Sequence, residues 1–469
     1  MTDICTLSAR EMVRLMRRKD LSASEVLEAH LARIARVNPE VNAIVTLAEA
    51  QARATAARLD ELAAGGDFMG ILHGLPIAHK DTFETRGIRT TFGTTLLRDN
   101  VPERTELMVA RLRVAGAVTI GKTNTPEFAA GSQTFNRVFG ATRNPWDLSK
   151  TCGGSSGGAA VSVACGMTPI ADGSDVGGSL RNPAAFCSVV GMRTSPGRVP
   201  RVPANDGWSP LNVLGPIARN VEDAALLLSA MAGPNSRAPL AIQESGEKFL
   251  KPLDRDPKGI RIAWSSAPGG LPVDRQITEV LNRQRRNLEG AGVTVEDAEP
   301  DFSGADESFR ALRALTFLRS LGHLTAEQRK EVKATVLGEI DRGASLTAAQ
   351  IARAQVLQTE IYARIGRWME QYDFLMLPTT QVLPFPVEQE FVTEINGQKV
   401  ENYIDWMGSC YLISMTALPA ISVPAGFASE GLPVGLQIVG RAQDDFGVLQ
   451  MGRIVEQIRG NLPWPPMCS

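Results

Sequence analysis

The sequence predicts an α/β fold. Three observations carry this: an amphipathic helix near the start, short apolar runs of β character at 74–81 and 117–120, and a helix-like segment between those runs. Ser22 and Glu25 form an S-x-x-E capping pattern. Val26, Leu27, Leu31, Ile34 and Val37 then recur at helical spacing, with Asn38-Pro39 expected to stop the helix. The run at 74–81 ends in charge, 105–114 reads as helix and 117–120 as the next strand. Between about 134 and 220 Gly, Ser and Pro gather around short apolar runs, which marks a candidate site. Residues 240–372 carry more charge, with strand-like runs at 260–264 and 293–295 and a helix over 348–372. They predict a peripheral α/β layer. Apolar strand character returns at 374–377 and 421–423, so the end of the chain is expected to rejoin the sheet of the middle. The chain has no internal repeat.

Charge and composition narrow the function. Lys plus Arg number 49 against 51 Asp plus Glu, so there is no basic excess for a polyanion, and neither nucleic acid nor anionic membrane is expected as a partner. The N-terminus has no basic segment followed by an apolar run, so the expected address is the cytoplasm. The weakly polar stretch 410–427 is broken by Ser414, Thr416, Pro419, Ser422 and Pro424, and is expected to form buried strands and turns rather than a bilayer span. The cysteines at 5, 152, 165, 187, 410 and 468 lack metal or disulfide spacing, and the histidines at 30, 73, 79 and 323 make no H-E-x-x-H. Free thiols, no metal and no cofactor are expected. Cys152 and Cys187 are read as packing residues.

The strongest local signal is Cys152-Gly153-Gly154-Ser155-Ser156-Gly157-Gly158, running straight into the apolar segment 159–164. A glycine-rich loop feeding a helix near Ser156 would aim free N–H groups and the positive helix end at two hydroxyls. A flexible linker would not continue into an apolar helix. A second turn, Asp172-Gly173-Ser174-Asp175-Val176-Gly177-Gly178-Ser179-Leu180-Arg181-Asn182-Pro183, offers Ser179 as a nucleophile. The N–H groups of Val176, Gly177 and Gly178 could form an oxyanion-binding nest there, and Asp175 and Arg181 an ion pair that braces the turn.

Taken together, Lys80, the loop 153–158 and the turn 175–183 resemble the amidase signature family of Ser-Ser-Lys amide hydrolases, in residue type and in spacing. The similarity continues through Asn144-Pro-Trp-Asp147, Pro183-Ala-Ala-Phe-Cys187, Pro378-Thr379 and the segments 419–424 and 431–437, and is weakest over 240–370. The resemblance implies one large unit over 1–469 with a mixed, twisted central sheet covered by helices, and a more variable layer at about 240–372. It also implies that Ser179 is the nucleophile, Ser155 a proton relay and Lys80 the base, and that the peptide before Ser155 is cis, with Gly154 easing the crowding. Ser156 would support the loop or Lys80. Lysine is ordinarily protonated at neutral pH, so Lys80 should be buried, with burial and positive neighbours favouring its neutral amine. Strand alternation would turn the adjacent His79 to the other face, in a structural role.

Two other patterns fail on context. Gly116-Ala-Val-Thr-Ile-Gly-Lys-Thr123 fits a P-loop expression, but its middle is β-like and Asn124-Thr-Pro126 follows where helix is needed. Gly153–Gly157 fits G-x-S-x-G, yet the only downstream histidine is His323, in a charged stretch expected to be peripheral. The expected activity is amide hydrolysis of a small molecule, with carbamate or ester cleavage by the same residues as an alternative. A second alternative is the family's amidotransferase A-type component, which makes ammonia for a partner acting on charged tRNA. A second copy of the chain is admitted as a partner. Pocket walls are expected near 128–135, 205–208 and 310–410.

Overall fold

The computed structural model describes residues 3–468. Helix α1 (Ala23–Val41) begins on a complete capping box: Ser22 Oγ accepts from the Glu25 N–H at 3.0 Å, and the Glu25 carboxylate accepts from the Ser22 N–H at 2.8 Å. Val26, Leu27, Ile34 and Val37 are buried in the main core. Pro39 does not stop the helix, contrary to expectation. A proline this near the end forfeits one hydrogen bond only, and the helix closes at Asn42 in the left-handed region, φ 53°. Asn38 Oδ1 then accepts from the Ala43 and Ile44 N–H groups at 2.9 and 2.8 Å and fixes the exit.

Strands β1 (Ile44–Leu47), β2 (Pro76–Lys80) and β3 (Val118–Thr123) form a small sheet in the order β1-β3-β2. Helix α2 (Leu107–Val114) lies in the crossover between the parallel pair β2 and β3. Every residue of β2 and β3 is buried. The P-loop-like run is therefore strand, and its Lys122 is enclosed with Nζ on the Phe83 carbonyl and 3.1 Å from Thr85 Oγ1.

The large sheet follows α3 (Gly157–Ala164). It contains β4 (Ile170–Asp175), β5 (Val190–Arg193), β6 (Val213–Ala218), β7 (Arg261–Trp264), β8 (Thr294–Asp297), β9 (Phe374–Pro378), β10 (Ala420–Phe427) and β11 (Pro433–Val439). Its order is β8-β7-β9-β11-β10-β5-β6-β4, parallel at β7/β8 and β7/β9 and antiparallel elsewhere. This is the mixed-sheet α/β fold that the sequence and its resemblance predict, and the end of the chain does rejoin the sheet of the middle. Residues 240–372 supply one edge of that sheet, β7 and β8, joined by a helix (Arg275–Gly290), and then further helices, the longest being α4 (Ala305–Leu321), α5 (Ala334–Ser345) and α6 (Ala348–Trp368). The stretch 410–427 departs from expectation in its first third, which belongs to a buried helix (Gly408–Met415). Among the described residues no helix is long and apolar enough to cross a membrane.

The two sheets meet where β2 passes β4. Asp172 joins them, accepting the Lys80 backbone N–H on Oδ1 at 2.9 Å while its Oδ2 lies 2.5 Å from His79 Nδ1. The other ring nitrogen of His79 is 3.1 Å from Thr119 Oγ1, so both its polar atoms are used within the fold.

Candidate active site

Lys80 ends β2 and is fully buried. Burial pushes its amine from the ordinary 10.5 down to about 7, against Asp175 and Asp172, which both pull it up. The expected positive neighbours are not among the causes; removal from water alone produces the shift. Nζ lies 2.7 Å from Ser155 Oγ, 3.0 Å from Ser156 Oγ and 3.2 Å from Ser174 Oγ. A neutral amine has two N–H donors and one lone pair, so this cage is satisfied when two hydroxyls accept and the third donates.

Ser155 precedes α3 in a loop whose Gly154–Ser155 peptide is cis. Side chains hold the loop carbonyls: Ser132 Oγ donates to Gly154 O at 2.8 Å, Thr134 Oγ1 donates to Gly153 O at 2.9 Å, and Asn182 Nδ2 donates to Ser132 Oγ at 2.8 Å. A Cβ on Gly154 would stand 3.0 Å from Thr134 Oγ1 and 3.1 Å from the Gln133 nitrogen, so the loop packs tightly there. Ser156 occupies the N-cap position of α3. Besides meeting Lys80, it ties the two turns together through its N–H, which donates to Ser179 O at 3.1 Å.

Ser179 lies between β4 and the helix Arg181–Cys187. It shares a cleft with Ser155, and among the described residues its hydroxyl makes no hydrogen bond. Asp175 and Arg181 are both buried and form the expected brace, with Nη2 2.9 Å from Oδ1 and Nε 3.1 Å from Oδ2. Burial alone would raise the Asp175 carboxyl, but the charges of Arg181 and Arg193 hold it well below the usual carboxylate range. The same carboxylate accepts the Gly178 N–H at 2.9 Å and the Leu180 N–H at 3.1 Å. This corrects one expectation: the Gly178 N–H is spent inside the turn and is not free for an oxyanion. Among the described residues the N–H groups of Val176 and Gly177, and that of Ser179, have no such partner.

The cleft has a volume of about 550 Å³. Its walls draw on the expected segments, through Phe128, Asp206, Phe317 and Tyr403 among others. Trp208 is not one of them; it is 79% exposed on the surface. His323 does line the cleft, contrary to its expected peripheral place, but the group touching Ser155 is Lys80. All six cysteines are free thiols, and burial pushes Cys152 up to about 12 and Cys187 up as well, which suits packing rather than reaction.

Sequence reasoning missed three participants. Ser174 is the third hydroxyl on Lys80, and Asp172 links the sheets. The two are two residues apart on β4 and therefore share a face, so strand parity from Asp172 could have pointed to Ser174. Arg193, on β5, donates to Asp175 O at 2.6 Å, a contact that no local pattern announces.

Comparison with known proteins gives the family. The family model Amidase matches residues 25–449. An acylamidase of Rhodococcus erythropolis is 36% identical over 461 residues, covering 98% of this chain and 96% of that protein. The A-type component of the glutamyl-tRNA(Gln) amidotransferase of Thermosynechococcus vestitus is 34% identical over 483 residues, covering 97% and 98%. The crystal structure of a bacterial aryl acylamidase of the amidase signature enzymes superposes with a TM-score of 0.91 at 30% identity, covering 96% of each chain.

Proposed function

This chain belongs to the amidase signature family and hydrolyses carbon–nitrogen amide bonds, and on that premise we propose that Ser179 is its nucleophile, Ser155 its proton relay and Lys80 its base. The observation that carries the reading is a buried amine, lowered to about 7, in contact with the Ser155 hydroxyl beside the cleft that also holds Ser179. Neutral Lys80 takes the Ser155 proton as Ser155 takes that of Ser179, and Ser179 Oγ adds to the substrate carbonyl. The N–H groups of Val176, Gly177 and Ser179 receive the oxyanion, and the Asp175–Arg181 pair holds the turn that aims them. Collapse breaks the C–N bond, and Ser155 passes the proton, replaced from the Lys80 ammonium, to the leaving amine. Water then repeats the cycle on the acyl-enzyme and releases the carboxylic acid. The Ser155–Ser179 link closes on substrate binding, as catalytic hydrogen bonds commonly tighten in the Michaelis complex.

The substrate in this reading is a small molecule, and the enzyme acts in the cytoplasm without nucleic-acid or membrane partners. Carbamates and esters pass through the same kind of oxyanion and are open to the same residues. The 34% identity to an amidotransferase component favours a second reading, ammonia release from glutamine for a partner chain. Assaying the purified chain alone on an amide panel separates the two, since hydrolysis without a partner supports the first. Mass spectrometry of a trapped acyl adduct tests the site: the adduct is expected on Ser179 and absent in Ser179→Ala. An adduct elsewhere overturns the assignment.

A further inference from the structure

The cleft wall facing the serines carries an unusual backbone. Phe92 and Phe128 have φ of 54° and 52°, and Ala129 has 56°, a left-handed conformation that bulky side chains adopt only where their surroundings force it. The two phenylalanines are joined, the Phe128 N–H donating to Phe92 O at 2.8 Å, and both line the cleft. Each is anchored to the catalytic framework. The Phe92 N–H donates to the carbonyl of Asp81, the residue after Lys80, at 2.9 Å. Four residues beyond Phe128, Ser132 holds the carbonyl before Ser155. The backbone thus presents two aromatic rings to the substrate space at a fixed offset from Lys80 and Ser155.

The charges around that space are already matched. Arg104 lies 2.5 Å from Glu84, Arg201 2.9 Å from Asp206 and Arg313 2.8 Å from Glu339. The half-buried Glu106 carboxyl, raised by desolvation to about 7, accepts the Glu84 N–H at 3.2 Å. Arg104 is exposed, but Arg201–Asp206 and Arg313–Glu339 are largely withdrawn from water, so a substrate carboxylate reaching the inner cleft would have to break one of these pairs or go unpaired, which is costly there.

We propose that Phe92 and Phe128 are specificity-determining residues that select uncharged, apolar amides and reject amides bearing a carboxylate, glutamine included. The inference rests on the Ser179 reading, and its test is separable from that reading. Wild type is assayed on butyryl p-nitroanilide, on the carboxylate-bearing succinyl mono-p-nitroanilide and on glutamine. The neutral anilide should exceed the charged one by at least about tenfold in kcat/KM, and glutamine should release no ammonia. Phe92→Asn and Phe128→Asn remove the rings while keeping a residue that tolerates positive φ. In each, the preference for the butyryl anilide over acetamide should fall about tenfold, mainly through KM. Equal turnover of the two anilides by wild type, no turnover of the neutral one, or an unchanged preference in the folded variants would overturn the inference. If the Asn variants do not fold, the wild-type charge comparison decides it alone. Residual hydrolysis by Ser179→Ala would instead overturn the Ser179 reading.

Discussion

Lowering the pH should switch the enzyme off by protonating one buried amine. With Lys80 held at about 7, roughly nine tenths of it is neutral at pH 8 and about one hundredth at pH 5, so kcat/KM should fall roughly ninety-fold, with unit slope below pH 7 and a plateau above it. An unshifted lysine, at 10.5, would give a rate still climbing tenfold per unit at pH 9. The assay is kcat/KM for a neutral anilide from pH 5 to 10 at constant ionic strength, with circular dichroism at each pH to show that the fold persists. A rate undiminished at pH 5, or one still rising at pH 10, would refute a buried neutral lysine as base. Stability gives an independent reading of the same shift. Between about 7 and 10.5 the unfolded chain holds a proton on Lys80 that the folded chain lacks, so folding stability should rise with pH across that window in wild type. Lys80→Met, measured by denaturant unfolding, should lower that slope, most clearly between pH 7 and 8, and abolish activity, leaving the part of the slope that Lys122 and Lys333, both lowered by burial to about 8, contribute.

Three further outcomes follow from the packing around the site. Asp175→Asn leaves Arg181 and Arg193 buried without their counter-charge, and should cost about 3–5 kcal/mol in urea unfolding; a loss below about 1 kcal/mol would show the brace to be dispensable. Gly178→Ala places a Cβ 2.6 Å from Asn182 Nδ2 and 2.7 Å from Cys410 Cβ at a φ of 121°, which displaces the turn carrying Ser179. Its kcat should drop at least about tenfold with KM little changed, and wild-type kinetics would contradict this. Cys152, Cys187 and Cys410, with thiols raised by burial, should stay unlabelled by iodoacetamide in the native protein at pH 8, as read by mass spectrometry; labelling of any of them without unfolding would contradict that burial.

Features governed by neighbours in sequence were legible. The Ser22–Glu25 capping box, the start of α3 at Ser156 and the Asp175–Arg181 pair six positions apart each depend on a few residues of chain, so residue type and spacing were enough. Pro39 misleads because the local rule counts the lost hydrogen bond but not the Asn38 and Asn42 contacts that finish the helix anyway. The helix at 408–415 misleads because a short apolar run has no periodicity to separate buried helix from buried strand.

By itself the sequence determined which chemical groups are present and which short turns carry them: one lysine at a strand end, serines on two glycine-rich bends, and a charge pair beside them. Tertiary structure decided how those groups behave. Desolvation of Lys80, the Ser174 contact brought by β4 and the Arg193 contact on Asp175 all arise where segments apart in sequence exclude water from one another. The proton affinity of an amine depends on everything packed around it, and that enclosure exists only once the two sheets have met.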